Sequence, residues 1–295
     1  MRNNWAVTIH GVTYHVEVAG DEQRPSLLLL HGFSGSSQNW AAHVPALAQH
    51  YRVITLDILG HGRTDSPTKP ARYSMEKVAR DVTAVLQQSS IVNPATSSGQ
   101  VRQSSIVNLL GYSMGGRLAL YLAVHYPHLF HTLILESASP GLETEADRAM
   151  RRGHDNLLAN LILRVGIAAF VDYWEALPLW ASQQQLTPEQ RAALRAQRLQ
   201  NNPIGLANSL RGMGTGVQPS LWPYLPGLNL PILLLAGALD EKFVSINTTM
   251  HRLLLNSQLE IIVGAGHTVH LERPSSFQQH VHNFLESVAG GARHS

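Results

Sequence analysis

The chain has 295 residues, of which 44% are hydrophobic and 14% are charged. This balance can bury a large core and is unlike that of disordered proteins. The formal charge of +2 at neutral pH is too small for a protein that reads nucleic acid through a basic surface. The absence of cysteine excludes disulfide bonds and thiolate metal sites, and it fits a reducing cytoplasm.

The N-terminal segment lacks the charged start, apolar stretch and cleavage site of a signal peptide. The purely apolar runs are short, the run at residues 27–30 being an example, so no segment is expected to span a bilayer. We therefore expect a soluble, cytoplasmic protein. The sequence does not indicate its oligomeric state.

Short aliphatic runs recur along the chain and predict the strands of a sheet. Residues 7–9 and 14–18 alternate between apolar and polar side chains, which predicts an antiparallel hairpin. The later runs are continuous, as in strands buried on both faces of a parallel sheet. They lie at residues 27–30, 53–56, 106–110, 133–135, 232–235 and 259–263.

Segments with helical periodicity separate these runs. They lie at residues 40–47, 75–86, 117–125, 246–255 and 275–288. Strands that alternate with helices predict an α/β fold with a mostly parallel sheet and right-handed crossovers.

Residues 88–103 interrupt this alternation. The hexapeptide Gln-Ser-Ser-Ile-Val-Asn that begins at residue 88 is repeated at residue 103, and only the second copy leads into an aliphatic run. We expect residues 88–103 to be an inserted surface loop without a functional role.

A second interruption covers residues 142–216. This segment is rich in arginine and glutamine and has helical texture but no strand pattern. It predicts a helical cap, inserted into a core made of residues 1–141 and 217–295 and belonging to the same domain. The cap would cover the carboxyl edge of the sheet, where open α/β sheets bind ligands.

Residues 111–115 form a G-x-S-x-G motif between the apolar run at residues 106–110 and a helical pattern. This strand–turn–helix context is that of a nucleophile elbow, in which a strained turn presents a serine hydroxyl above the N-terminus of the next helix. Side chains at positions 111 and 115 would collide in so tight a turn, which explains the glycines. We therefore predict that Ser113 is the reactive residue.

An oxyanion formed beside Ser113 needs preorganised amide donors. The amide of Met114, which follows the serine, supplies one. The loop His-Gly-Phe-Ser-Gly at residues 31–35 comes directly after a predicted strand. Phe33 is the natural second donor in this loop, and Ser34 can add a hydroxyl.

A serine hydroxyl becomes reactive when a histidine accepts its proton. Among 16 histidines, His267 is favoured because it follows the last predicted strand; His270 and His31 are its competitors. An orienting carboxylate is expected after the preceding predicted strand, where Asp240 lies. Glu136, at the end of an earlier strand, is the alternative acid.

Together these residues resemble the α/β-hydrolase superfamily over nearly the whole chain, and the order Ser, Asp, His is the one that this superfamily uses. Residues 57–65 are similar to its D-x-x-G-x-G-x-S segment, with Thr64 where serine is usual. The resemblance implies a mostly parallel eight-stranded sheet flanked by helices. It leaves the reaction open, because esterases, lipases, C–C hydrolases, dehalogenases and lyases share this fold.

A finer resemblance is carried by four segments, at residues 111–117, 139–152, 170–180 and 198–202. They are similar to the 2-succinyl-6-hydroxy-2,4-cyclohexadiene-1-carboxylate synthase family of menaquinone biosynthesis. The resemblance implies a lyase whose triad removes a proton from the substrate while pyruvate is eliminated. It implies no metal and no organic cofactor.

The same resemblance implies a substrate with several carboxylates and marks Tyr112, Arg117 and Arg151 as its contacts. Guanidinium groups bind carboxylates in a bidentate way, which fits this expectation. Tyr173 or Trp174 is expected to face the substrate ring. On the alternative reading, the arginines of the cap only pair with neighbouring acids on a solvated helix face.

Two other functions remain open. A carboxylesterase or C–C bond hydrolase uses the same triad in a mostly apolar pocket, whereas Arg117 with Arg151 favours an anionic ligand. A non-catalytic ligand-binding member of the fold usually lacks a catalytic residue, but Ser113, Asp240 and His267 are all present here.

Overall fold

The computed structural model of the protein describes residues 2–88 and 106–291. The strands in these residues are β1 (Arg2–Ile9), β2 (Val12–Ala19), β3 (Ser26–Leu30), β4 (Arg52–Leu56), β5 (Val107–Tyr112), β6 (Phe130–Glu136), β7 (Ile232–Gly237) and β8 (Ser257–Ile262). They form one eight-stranded sheet in the order β1-β2-β4-β3-β5-β6-β7-β8. β1 and β2 form the predicted antiparallel hairpin, β2 pairs antiparallel with β4, and the remaining pairs are parallel. The predicted fold class is confirmed.

The α-helices of the described residues flank or cover this sheet. They are α1 (Val44–Leu47), α2 (Met75–Gln87), α3 (Met114–His125), α4 (Glu145–Glu175), α5 (Pro188–Leu199), α6 (Pro203–Met213), α7 (Glu241–Leu253), α8 (Val269–Glu272) and α9 (Pro274–Gly291). The helix predicted at residues 40–47 is instead a 3₁₀ turn, Ser37–Trp40, followed by the short α1. α3 begins three residues earlier than its apolar pattern, because glycines occupy its first turn.

The central strands are buried on both faces, which explains their continuous aliphatic sequences. In β3, Leu28 and Leu30 join a core cluster with side chains of α2 and α3. Leu27 and Leu29 point to the other face and join a cluster with residues of α1 and α9. The sheet is therefore the middle of three layers, with its carboxyl edge free to carry a site.

The helices α4, α5 and α6 lie between β6 and β7, in the segment predicted as a cap. α4 packs on α6 through a separate apolar cluster that includes Ala159, Ile162, Phe170 and Leu206. Gly166 interrupts α4 with a φ of 77°, a conformation that glycine adopts without steric cost. The division into a core and a cap at residues 142 and 216 stays a prediction.

One helix differs from the expectation about membranes. By length and composition α4 is long and apolar enough to cross a bilayer, with a mean hydropathy of 1.5 in its most apolar window. Asn160, Arg164 and Asp172 interrupt the apolar residues of this helix, so the sequence contains no long purely apolar run there. In the structure α4 is broken at Gly166 and packs on α6.

The expectation of an inserted loop at residues 88–103 falls outside the described residues, apart from Gln88 at the end of α2.

Candidate active site

Ser113 lies in the tight turn that joins β5 to α3. Its backbone has φ 50° and ψ −109°, a strained conformation of the kind that persists when the surrounding structure imposes it. A Cβ atom on Gly111 would lie 2.5 Å from the carbonyl oxygen of Gly115, and one on Gly115 would lie 2.3 Å from that of Leu30. Both positions therefore require glycine, as expected for an elbow.

His267 connects the serine to an acid. Its Nε2 lies 3.0 Å from Oγ of Ser113, and its Nδ1 lies 2.6 Å from Oδ2 of Asp240. His267 is 2% exposed, so both contacts are largely shielded from bulk solvent. A carboxylate at Nδ1 holds the proton there and leaves Nε2 free to accept the serine proton. The arrangement can therefore activate Ser113 as a base or a nucleophile.

The alternative acid and the alternative histidine bind each other. The carboxylate of Glu136 accepts hydrogen bonds from the backbone N–H of His270, at 3.0 Å, and from its Nδ1, at 2.9 Å. Both side chains are fully buried. The backbone carbonyl of Glu136 also accepts the N–H of Ser113 at 2.8 Å. This pair thus ties the elbow to the loop after His267 without touching the reactive hydroxyl.

The predicted oxyanion donors, Phe33 and Met114, both line the same cavity as Ser113. Among the described residues, neither backbone N–H has a hydrogen-bond acceptor. The loop lies against the elbow, because a Cβ on Gly32 would be 3.5 Å from Cβ of Ser113. Two free amides beside a serine oxygen are what an oxyanion requires.

Ser34 is placed differently from the expectation. It lines a separate cavity of about 20 Å³ rather than the cavity of Ser113. Its φ is 60° and its carbonyl oxygen accepts a hydrogen bond from Nδ2 of Asn201 at 2.8 Å. Ser34 therefore shapes the loop. Its cavity shares Phe33, Tyr112 and Trp180 with the cavity of Ser113, and a contact between Ser34 and the substrate stays a prediction.

Buried neutral histidines support the loops around the elbow. His31 accepts the N–H of Ile58 at Nε2, at 2.9 Å, and its Nδ1 lies 2.8 Å from the carbonyl oxygen of Gly32. His61 packs against His31 and Phe33. Burial lowers the pKa of His31, and burial together with the charge of His31 lowers the pKa of His61 to about 3. A third buried histidine, His43, has its pKa lowered to about 4, chiefly by burial and then by His270.

These lowered pKa values predict a loss of stability in mild acid. Below the ordinary histidine pKa of about 6.5, these histidines are protonated in the unfolded chain but stay neutral in the folded chain. The free energy of unfolding therefore falls as pH falls. We expect a decline of up to about 1.4 kcal/mol per pH unit for each such histidine between pH 6.5 and about 4. Urea unfolding at a series of pH values measures it.

The control for this prediction is a pair of single variants. His61→Asn removes one buried site and should reduce the slope, whereas His128→Asn removes an exposed histidine and should leave the slope unchanged. A free energy of unfolding that stays level from pH 7 to pH 5 would contradict the prediction.

The cavity above Ser113 and His267 has a volume of about 240 Å³. Three cationic side chains, Arg117, Arg151 and Lys242, are among its lining residues, and no aspartate or glutamate is. The protein as a whole has a formal charge of only +2, so positive charge is concentrated at this site. A lining of this kind favours a negatively charged ligand.

The two predicted arginines are held in different ways. Nη1 of Arg117 donates to the carbonyl oxygen of Met213, at 2.7 Å, and to Oε1 of Gln218, at 2.9 Å. Burial and then the charge of Arg151 lower its pKa to about 10, so it remains charged at neutral pH. Arg151 uses its Nε to bind Asp155 at 2.7 Å. Both hydrogen bonds of Arg117 are to neutral groups, which leaves its charge available to a ligand.

Aromatic residues form the remaining walls. Tyr112 lines the cavity and its hydroxyl lies 3.2 Å from Oγ1 of Thr268. Trp174 also lines it and packs against Phe33, with 5.4 Å between ring centroids. Tyr173 is 47% exposed and does not line the cavity, so of the two neighbours only Trp174 faces the site. The sequence left open which of the two faces the substrate ring, and the contact itself stays a prediction.

Comparison with known proteins agrees with the fold described above. Residues 25–274 match the alpha/beta hydrolase fold family. A protein of Bacillus subtilis (strain 168), named putative 2-succinyl-6-hydroxy-2,4-cyclohexadiene-1-carboxylate synthase, is 44% identical over 94% of this chain and 96% of its own length. The chain belongs to this synthase family, within the α/β hydrolase fold.

Further members and neighbours of the synthase family agree. The synthase of Serratia proteamaculans (strain 568) is 31% identical over 90% of this chain and 95% of its own length. The structure of MenH from S. aureus superposes with a TM-score of 0.85 at 36% identity, covering 94% of this chain and 98% of that one. An enol-lactonase from Burkholderia xenovorans LB400 has a TM-score of 0.78 at 22% identity, over 95% of this chain and 99% of that one. That likeness concerns the fold alone.

Three residues of this synthase site were missed by sequence reasoning. Lys242 and Phe243 line the cavity from the start of α7, and Trp180 lines it from a 3₁₀ segment, Pro178–Gln185. The rings of Phe243 and Trp180 lie 4.7 Å and 5.6 Å from that of His267. Lys242 and Phe243 follow Asp240 by two and three positions, and this proximity in sequence could have indicated that they lie near the site.

Proposed function

We propose that this chain eliminates pyruvate from 2-succinyl-5-enolpyruvyl-6-hydroxy-3-cyclohexene-1-carboxylate to form 2-succinyl-6-hydroxy-2,4-cyclohexadiene-1-carboxylate. The observation that carries the proposal is one cavity lined by Ser113 and His267 of a Ser-His-Asp triad and by three cationic side chains, with no aspartate or glutamate among its lining residues. The substrate bears three carboxylates, which such a cavity attracts. The names of the relatives point to the same reaction. The reaction would belong to menaquinone biosynthesis and take place in the cytoplasm.

The reaction begins with a proton transfer. His267 accepts the hydroxyl proton of Ser113, and the serine oxygen removes the proton from C2 of the ring, next to the succinyl ketone. The 3.0 Å contact between Nε2 and Oγ is the distance that general-base catalysis needs. Because the serine acts as a base, no covalent acyl intermediate forms.

The second part of the reaction expels the leaving group. Electrons from the broken C2–H bond form the C2–C3 double bond, the C3–C4 double bond moves to C4–C5, and the C5–O bond breaks. Pyruvate leaves as its enolate and takes up one proton, which returns His267 to the neutral state. Negative charge that develops on the succinyl carbonyl is stabilised by the amides of Phe33 and Met114. The protein groups suffice for this sequence without a metal or an organic cofactor.

The arginines and the cap would hold the substrate. Arg117 at α3 and Arg151 at α4 bind carboxylates as planar forks. Because Arg151 and Trp174 come from the segment at residues 142–216, this cap would complete the site over the elbow. It would also exclude water, which strengthens the charge–charge contacts.

Pyruvate release from the substrate tests the proposal, with p-nitrophenyl acetate as a competing ester substrate. Pyruvate is followed by coupling to lactate dehydrogenase, and the protein is quenched during turnover and weighed by mass spectrometry. We expect pyruvate release well above the spontaneous rate and an unchanged protein mass. Ester hydrolysis with an acylated protein, and no pyruvate above the spontaneous rate, would identify a serine hydrolase and overturn the proposal.

Neighbouring arginines of α4 supply a sharp test of the cavity charge. We expect Arg151→Gln to lower kcat/KM for pyruvate release by about 10- to 100-fold, the effect of losing one charge-assisted hydrogen bond. Arg152 is its matched control, because it binds Glu145 and the carbonyl oxygen of Gly216 and does not line the cavity. Arg152→Gln should change kcat/KM less than about twofold. Equal effects of both variants would contradict a direct contact with Arg151.

A further inference from the structure

Lys242 is a cation of the cavity that the proposed reaction has not yet used. It lies in the first turn of α7, directly after Asp240, and it lines the cavity while remaining exposed to solvent. Its Nζ lies 5.8 Å from the ring centroid of Phe243, and that ring packs edge-on against His267. The lysine is therefore close to the base but on the solvent side of it.

The cations of the cavity come from two different parts of the fold. Arg117 and Arg151 lie on α3 and α4 and are close enough that the charge of Arg151 lowers the pKa of Arg117. Lys242 is on α7, which follows the acid of the triad. The cavity thus has a pair of guanidinium groups at one wall and a single ammonium group at another.

The geometry of the elimination separates the carboxylates of the substrate. The proton leaves from C2, which must contact Ser113, and the oxygen leaves from C5, directly across the ring. Ser113 lies at the edge of the sheet beneath the helices of the cap. The cavity opens at Lys242, at Leu179, which is 38% exposed, and at the side chain of Arg151, which is 41% exposed. A ring that presents C2 to the serine therefore presents C5 toward this opening.

We propose that Lys242 binds the carboxylate of the enolpyruvyl group, the part of the substrate that leaves. This inference rests on the proposed function and adds a specificity residue to it. Arg117 and Arg151 would then hold the succinyl and ring carboxylates, which the product keeps. Lys242 contacts a group that the product has lost, so it distinguishes substrate from product and releases pyruvate at the open end of the cavity.

A ratio of two binding constants tests this role. We expect Lys242→Gln to raise KM for the substrate about tenfold, since one ion pair is lost, and to leave the inhibition constant of the diene product within about twofold. Lys242→Arg keeps the charge and should restore most of the substrate affinity. Glu241→Gln, a change at the exposed neighbour, should alter neither constant. Because the side chain of Lys242 is exposed, its variants are expected to fold normally, so misfolding would not explain a change in either constant.

Binding without turnover separates this inference from the proposed function. Trp174 and Trp180 line the cavity, so their fluorescence reports ligand binding in a Ser113→Ala background by stopped flow. If the Lys242→Gln variant binds the substrate more weakly but the product equally well, the inference is supported. This holds even if the wild type releases no pyruvate, because that result would overturn only the proposed function. Unchanged substrate binding, or equal weakening of substrate and product binding, would overturn the role of Lys242.

Discussion

Pyruvate release by a Ser113→Ala variant is expected to fall by about 10²- to 10⁴-fold in kcat, which is the scale of a lost general base. The hydroxyl lies 3.0 Å from Nε2 of His267, and its removal leaves the imidazole too far from C2 of the substrate to take the proton itself. The arginines are untouched, so substrate affinity should change little. Single-turnover pyruvate release and a fluorescence titration measure the two effects separately.

Ser139→Ala is the matched control for this variant. Ser139 lines the same cavity, and its substitution removes a hydroxyl of equal size that does not contact His267. We expect kcat to stay within about threefold of the wild type, since a single neutral hydrogen bond is worth little in net terms. If Ser113→Ala retained a tenth of the wild-type rate, the serine would not be the base.

Asp240→Asn is expected to lower kcat by about 10³- to 10⁴-fold, an effect known for the orienting acid of serine triads. Asp240 accepts from Nδ1 of His267 at 2.6 Å, and this contact determines which nitrogen carries the proton. An asparagine amide can donate to Nδ1 and thereby protonate Nε2, which can then no longer accept the serine proton. The carboxylate also caps α7 by accepting the N–H of Phe243 at 3.4 Å, and asparagine caps helices equally well. The helix cap is thus kept, and the free energy of unfolding should fall by no more than about 1–3 kcal/mol, the cost of weakening the buried contact with Nδ1 of His267.

Glu136→Gln is the counterpart that decides between the two acids. Glu136 binds His270 and not His267, so we expect kcat to change less than about tenfold. The free energy of unfolding should fall by about 1–3 kcal/mol, because a buried hydrogen-bonded pair is weakened. Urea unfolding and pyruvate release on both variants give the result. Loss of turnover in Glu136→Gln with activity retained in Asp240→Asn would reverse the assignment of the acid.

The buried Glu136–His270 pair shows how two acid–histidine pairs can serve one elbow. Asp240 and His267 reach the serine hydroxyl, while Glu136 holds the backbone of Ser113 through its carbonyl oxygen and the following loop through His270. The buried pair needs good hydrogen-bond geometry to offset its desolvation. It has that geometry, with both Glu136 oxygens 2.9 Å from Nδ1 of His270.

The sequence alone determined the sheet and the elbow. The continuous aliphatic runs predicted strands, and all of them lie in the one sheet. Burial on both faces, which leaves no room for polar alternation, holds for the central strands. It does not hold for the run at residues 259–263, because β8 is an edge strand in which Ile261 is 42% exposed. The glycines at 111 and 115 predicted a tight turn at Ser113, and their Cβ positions are blocked by backbone atoms. Both features are encoded locally, so neighbouring residues suffice to read them.

The tertiary structure alone decided which candidates meet. Glu136 ends β6 and Asp240 follows the adjacent parallel strand β7, at the same edge of the sheet. Sequence order favoured Asp240, and the tertiary structure shows that it is the carboxylate that contacts His267. Trp174 and Tyr173 are neighbours in one helix, and packing against Phe33, Phe170 and Trp180 places Trp174 at the cavity. Nothing in the local sequence distinguishes Lys242 from other exposed lysines, and it lines the site because α7 begins beside the cavity. Contacts between residues distant in the chain depend on how helices and loops pack on the sheet, and the local sequence does not encode that packing.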